Sequence, residues 1–258
     1  MSCKNSRAGD RARVDVFTQP TARTLMVGGV GRGLTPPAVV LSAVFTLVFC
    51  CATLAFAVLR PVQVLPLLHP APPIALRAAD GTSVTLERMG GTIIVFQVSA
   101  LRCALACADG HETLRRIQQR LAAAAPPVPV RLVTVMLDGD GRMRALAARA
   151  AALGAAPGWW QVATADPDQL KDIVGAGFGV YYTRARDGRV AFDPATILVD
   201  DRGVVRADYR TAAISADLLW RDIGLVAREA VSHGVDRALY GAAHLFLCYP
   251  RSGPTIGE

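Results

Sequence analysis

Aromatic residues make up only 6% of this 258-residue chain, and no basic run is interleaved with them. The net charge of +7 therefore lacks the footprint of a nucleic-acid-binding surface. Internal repeats are absent, which excludes solenoids and propellers. The length suits one good-sized domain with appendages, not two large ones. One stretch lacks charge altogether: Ala38 to Leu59, 22 residues. At 1.5 Å per residue a helix over it would be roughly 33 Å long, enough for a bilayer core of about 30 Å. Hydrophobic residues at 52% and a mean hydropathy of +0.33 agree with such a segment. Six cations precede its end (Lys4, Arg7, Arg11, Arg13, Arg23 and Arg32) against Asp10 and Asp15. That bias keeps the N-terminal side in the cytoplasm and sends the rest across. A cleaved signal peptide is the competing reading, with Ala55-Phe56-Ala57 as a small-x-small site, but the apolar stretch exceeds the usual h-region. A lipoprotein attachment at Cys50 is disfavoured by the bulky Phe49 before it.

Residues 1–37 read as a disordered basic tail. Their run Gly28-Gly29-Val30-Gly31-Arg32-Gly33 superficially matches a phosphate loop, but no strand precedes it. Residues 60–73 hold five prolines, Pro61, Pro66, Pro70, Pro72 and Pro73, and suit an extended linker. From residue 74 strand and helix signals alternate to about 230. Ile74–Leu76 and Ser83–Leu86 flank the turn Asp80-Gly81. Thr92–Val98 is an apolar, β-branched run typical of a buried central strand. A helix is predicted over 103–123, with Cys107, Leu114, Ile117 and Leu121 on one face. A strand at 128–137, helices at 142–153 and 167–174, and strands at 196–199 and 204–208 follow. Ser215 can cap a last helix carrying Leu219, Ile223, Val226 and Ala230 at helical spacing. The expectation is an α/β fold, a mixed sheet with helices on both faces. Residues 231–258 form a C-terminal extension.

The chain has six cysteines. Cys3 lies in the tail and Cys50 and Cys51 in the apolar segment, and these three read as inert thiols; Cys248 stands alone near the end. Cys103 and Cys107 form the one close pair, placed in the exported part, where disulfides persist. They follow a strand by a short turn and open a predicted helix. Free N–H groups and the macrodipole at a helix start favour thiolate. Residues four apart share a face, so the two sulfurs can meet on one soft metal ion or, with backbone adjustment, on each other. His111 would continue that stack, but two helical turns put it about 12 Å along the axis from Cys103. It reads as a surface residue before a ligand. His69, His233 and His244 carry no site. Asp138 and Asp140 read as solvated turn acids, and Trp159 and Trp160 as cover for the core.

Four stretches in order resemble the Sco/SenC family, thioredoxin-fold copper chaperones of cytochrome c oxidase assembly. PPIALRAADGTSVTLERMGG is similar to that family's opening hairpin. TIIVFQVSALRCALAC resembles its strand followed by Cys-x-x-x-Cys, without the prolines common beside the cysteines. VTVMLDGDGRMRALAARAAALG resembles the strand, acidic turn and helix that follow, and GFGVYY (177–182) the stretch before the last hairpin. Glu229-Ala230, Ser232, Gly234, Leu245-Phe246 and Cys248-Tyr249-Pro250 are similar to an extension of some bacterial members. The resemblance covers about residues 73–230. It implies a thioredoxin-like domain, Cu(I) on Cys103 and Cys107, and a copper-bearing oxidase subunit or another copper chaperone as partner. It also implies a single-pass inner-membrane protein with its domain in the periplasm. One ligand of the pattern is missing: the family uses a His before the last hairpin, and residues 189–200 contain none. That stretch resembles the Pro-x-Thr signature of TlpA-like thiol–disulfide oxidoreductases, with Pro194 as a candidate cis-proline beside the redox pair. A TlpA-like oxidoreductase is the alternative function, and a degenerate thioredoxin-fold interaction module the third.

Overall fold

A computed structural model describes residues 36–59, 63–103, 107–124 and 126–246. The expectations for the tail, Cys3 and Cys248 lie outside these residues. Two units are distinct, one ending at Val58 and one from Leu59 onward. In the first, α1 (Pro36–Leu59) is an uncharged helix of 24 residues. Its large side chains face solvent, with Phe45 74% and Leu41 70% exposed. Among the described residues no helix is long and apolar enough to cross a membrane.

The second unit is built on β4 (Ile93–Ser99), all seven residues of which are buried. Such a run leaves both faces needing cover, and both are covered. β4 pairs in parallel with β5 (Val130–Met136) and antiparallel with β9 (Thr196–Val199). β10 (Val204–Tyr209) and the edge strand β1 (His69–Pro70) extend the sheet on one side. On the other side lie β6 (Trp160–Thr164), β2 (Ala75–Ala78) and β3 (Ser83–Thr85). The resulting sheet has eight strands of mixed direction.

Alternate residues of β4 serve the two faces. Ile93 and Val95 pack with Leu114, Ile117 and Leu121 of α2 (Ala108–Ala123) and with Leu219, Ile223 and Val226 of α5 (Ala216–Ala230). Ile94, Phe96 and Val98 pack with Leu170, Ile173, Val174 and Phe178. Those residues come from α4 (Pro167–Leu170), the π-helical turn Lys171–Gly177 that continues it, and Phe178 just after that turn. α3 (Met143–Leu153) rests its one buried residue, Leu146, on Met136 and Val162. A separate two-stranded sheet, β7 (Tyr182–Arg184) with β8 (Val190–Phe192), stands outside the main one. After α5 the chain forms a further helix, α6 (Gly234–Phe246).

One expectation about the site changes here. The helix after β4 begins at Ala108, with Cys107 as its N-cap residue, so Cys103 lies in the turn before it. Two bonds hold that turn out of helix: Cys103 N–H donates to Ala100 O at 3.1 Å, and Leu101 N–H to Asp138 Oδ1 at 2.6 Å.

Candidate functional site

β4 delivers the chain to the site and α2 leads it away. Between them Cys103 and Cys107 are joined as a disulfide, their Cα atoms 5.7 Å apart, inside the normal range for a bridge. Cys107 is 7% exposed, under the start of α2. Cys103 is half-buried and so is the sulfur an incoming thiolate can reach.

His111 is not a surface residue: its relative exposure is 6%. Because α2 starts at Ala108, the helix phase turns His111 inward with Leu114, three residues on. Its Nε2 lies 3.0 Å from Ser99 Oγ at the end of β4, a hydrogen bond inside the fold. Burial, aided by the nearby Arg149 cation, pushes the imidazole down to about 4, so it is neutral at pH 7. Asp138 is likewise not a solvated turn acid. It is 3% exposed, and only Asp140 faces solvent. Asp138 Oδ1 fixes the Leu101 amide, while Oδ2 is buried without a partner. The carboxylate positions the loop that carries Cys103.

Pro194 is not cis; among the described residues every peptide bond is trans. The backbone around it is held on both sides, Asp193 N–H donating to Tyr181 O and Ala195 O accepting from Val98 N–H, both at 3.0 Å. The half-buried proline therefore still lies beside the C-terminal end of β4. Trp160 is a core residue at 1% exposure, its indole N–H donating to Thr134 Oγ1 at 2.8 Å. Trp159 packs half-buried against the same cluster. His69 and His233 are exposed, and His244 pairs with Glu229 at 2.9 Å.

Arg149 is a site residue that the sequence does not single out. From α3 its Nη2 donates to Cys103 O at 3.0 Å, while Nε is buried with no partner. A guanidinium thus backs the loop of the reactive sulfur. In sequence it is one of several arginines in an alanine-rich helix, and its contact spans 46 residues.

Chemically, the arrangement is a two-electron couple at the end of a buried strand. Opened, it offers two thiolates. Among the described residues no group of three His, Cys, Asp or Glu side chains could hold a metal ion. Two soft sulfurs suit Cu(I), whereas Cu(II) prefers nitrogen and oxygen donors in a tetragonal array.

No family model and no curated protein matches the chain. Solved structures do. A SCO1/SenC family lipoprotein from Bacillus anthracis aligns at a TM-score of 0.57 with 17% identity, covering 63% of this chain and 97% of its own. BsSco, described as a Sco-family cytochrome c oxidase assembly protein with a disulfide switch, aligns at 0.56 with 19% identity, covering 64% and 97%. Arabidopsis thaliana ScoI with copper bound aligns at 0.53 with 18% identity, covering 61% and 98%. At these identities the likeness carries the fold: a thioredoxin-like fold of the Sco type.

Proposed function

We propose that this chain is a membrane-anchored Sco-like protein that manages thiol redox state and Cu(I) for cytochrome c oxidase assembly. The disulfide between Cys103 and Cys107 carries the reading, because thiol exchange on a Sco-type fold needs two cysteines close enough to bridge. In the exchange step a partner thiolate attacks Sγ of Cys103, the S–S bond breaks, and Cys107 leaves as thiolate. A second partner thiol then cleaves the mixed disulfide. Two electrons and two protons pass from the partner dithiol, which becomes a disulfide, to the pair, and the reverse sequence reduces a partner disulfide. In the reduced state the two thiolates receive Cu(I) as cargo and pass it to a copper-bearing oxidase subunit or another chaperone. The charge-free sequence 38–59 and the cations before it support a single anchor, a cytoplasmic N-terminus and a periplasmic domain.

The test is anaerobic Cu(I) titration of the detergent-solubilised full chain, oxidised and reduced, beside a thiol count. One Cu(I) bound per reduced chain, none when oxidised, and loss of binding in Cys103→Ser is the expected result. A pair that cycles between dithiol and disulfide but takes no Cu(I) would instead establish the TlpA-like oxidoreductase reading, which needs no third donor, and none joins the two cysteines among the described residues. A C-terminal reporter active only after export should be active.

A further inference from the structure

The hairpin β7–β8 has no place in the main sheet, yet it is tied to the disulfide loop. At its tip, Arg102 Nη1, next to Cys103, donates to Asp187 O at 3.2 Å. At its root, Arg184 donates to Leu137 O, one residue before the Asp138 that holds the same loop. The hairpin is therefore a wall beside the reactive sulfur.

That wall is basic. Arg184, Arg186 and Arg189 occur within six residues and are all exposed, as are Arg102 and Arg142 nearby. Arg142 reaches toward the turn, its Nη2 3.9 Å from where a Cβ on Gly188 would stand. Arg189 is paired with Asp187 at 2.6 Å. Among the described residues Arg102, Arg142, Arg184 and Arg186 have no carboxylate partner. Asp140, Asp187 and Asp193 are exposed acids on this side, and Asp168 is exposed at the hairpin root. The acids at the start of α2, Asp109 and Glu112, face the other flank, where they line a cleft with residues 213–217. Arg116 and Arg120 line that cleft as well, and Glu112 is paired with Arg115 and Arg116, so its charges are mutually compensated, unlike those of the four guanidiniums on the hairpin side.

A groove continues the basic wall. A cleft of about 640 Å³ lies at the hairpin root, with Pro167, Val180 and Tyr181 giving it apolar surface; Arg184 supplies a cation, and Lys171 a second that Asp168 meets at 3.1 Å. Tyr181 is 68% exposed, a large aromatic side chain left open among the described residues. Groove, cations and half-exposed sulfur together match one kind of occupant.

We infer that the β7–β8 hairpin, with Arg102 and Arg142, is the docking surface for an extended acidic segment of a partner protein that bears a reactive cysteine. The inference rests on the thiol-exchange reading above. The segment's carboxylates meet the unpaired guanidiniums, and its thiolate then attacks Sγ of Cys103 and releases Cys107.

The test uses the oxidised full chain in detergent and three synthetic peptides. Each carries one cysteine, flanked by Asp and Glu, by Asn and Gln, or by Lys. The rate of Cys107 thiol release is measured and normalised to each peptide's rate with hydroxyethyl disulfide, which removes differences in thiol reactivity. The acidic peptide should react about tenfold faster than the neutral one at low salt, and salt should erode the advantage. Arg186→Glu should cut the advantage, and Arg142→Glu with Arg186→Glu should reverse the order of the acidic and Lys peptides. Arg186→Gln, a milder change at an exposed position, should lower the acidic peptide's rate without reversing the order. Equal normalised rates for the three peptides would overturn the docking surface while leaving thiol exchange standing. So would an acidic preference untouched by these substitutions. If dithiothreitol fails to open the disulfide in the unaltered chain, the exchange reading falls and takes the inference with it.

Discussion

Burial keeps His111 neutral behind the disulfide, and that has a measurable consequence. Its folded-state value is pushed down to about 4 by desolvation and by Arg149. An unfolded chain takes up a proton near 6.5 that the folded chain refuses. The contribution to stability is therefore complete above about 6.5, declines as pH falls from there toward 4, and is flat below. Discounted for solvent near the mouth of the site, the loss is about 2 kcal/mol. Urea unfolding at pH 7 and pH 4.5 should show a steeper loss for the unaltered chain than for His111→Gln, which cannot titrate. Equal losses would mean that the imidazole is solvated and not tied to Ser99. At the same scale, Asp138→Ala removes the acceptor of the Leu101 amide. We expect a cost of about 1–3 kcal/mol and faster amide exchange at Leu101, with the sheet amides unchanged.

At Gly110 the helix α2 packs directly against the side chain of Gln97 in β4. A Cβ there would fall 2.3 Å from Gln97 Nε2 and 3.4 Å from Ala212 O. Gln97 is 5% exposed, so its amide has little room to retreat. Gly110→Ala should destabilise by about 1–3 kcal/mol through overpacking. Adding Gln97→Ala should restore part of that loss, and a double-mutant cycle in urea measures the coupling. The contact also shows which elements a sequence discloses. The run TIIVFQV identifies β4 because a strand buried on both faces must be apolar throughout. The spacing of Leu114, Ile117 and Leu121 identifies α2 in the same way. β6 is less visible, since it is short and its buried Ala163 and Thr164 break the alternation that Trp160, Gln161 and Val162 begin. The β7–β8 hairpin, built on the turn Asp187-Gly188, has too little apolar character to stand out. For the site, the cysteine pair is legible from its position alone. The inward turn of His111 is not, because it depends on α2 starting five residues after Cys103. Asp138 and Arg149 reach the loop across 37 and 46 residues, contacts that only the folded chain supplies.

One buried cation joins parts of the molecule that lie far apart in sequence. Arg206 is 2% exposed and sits at an irregularity in the pairing of β10 with β9, which turns its side chain inward. Its guanidinium bonds Asp200 Oδ2 at 3.1 Å and Glu229 Oε2 at 2.6 Å. It also donates to Pro66 O at 3.3 Å and Leu65 O at 2.8 Å, in the segment that enters the domain. Glu229 in turn meets His244 of α6 at 2.9 Å. Entry segment, sheet, α5 and α6 thus share one polar knot. Arg206→Met leaves two buried carboxylates without a counter-charge, which should cost about 3–5 kcal/mol. Adding Asp200→Asn and Glu229→Gln should recover much of it, because the penalty belongs to the stranded charges. The effect should be directional as well. β4 runs antiparallel to β9 with Ile94 opposite Val199, so Asp200 lies near the start of β4 while the disulfide follows its end. Hydrogen exchange in Arg206→Met should therefore quicken at residues 63–66 and in α6, while the reduction potential of Cys103–Cys107 stays put. A shifted potential with α6 still protected would show that the knot acts on the redox site and not on the chain ends it ties together.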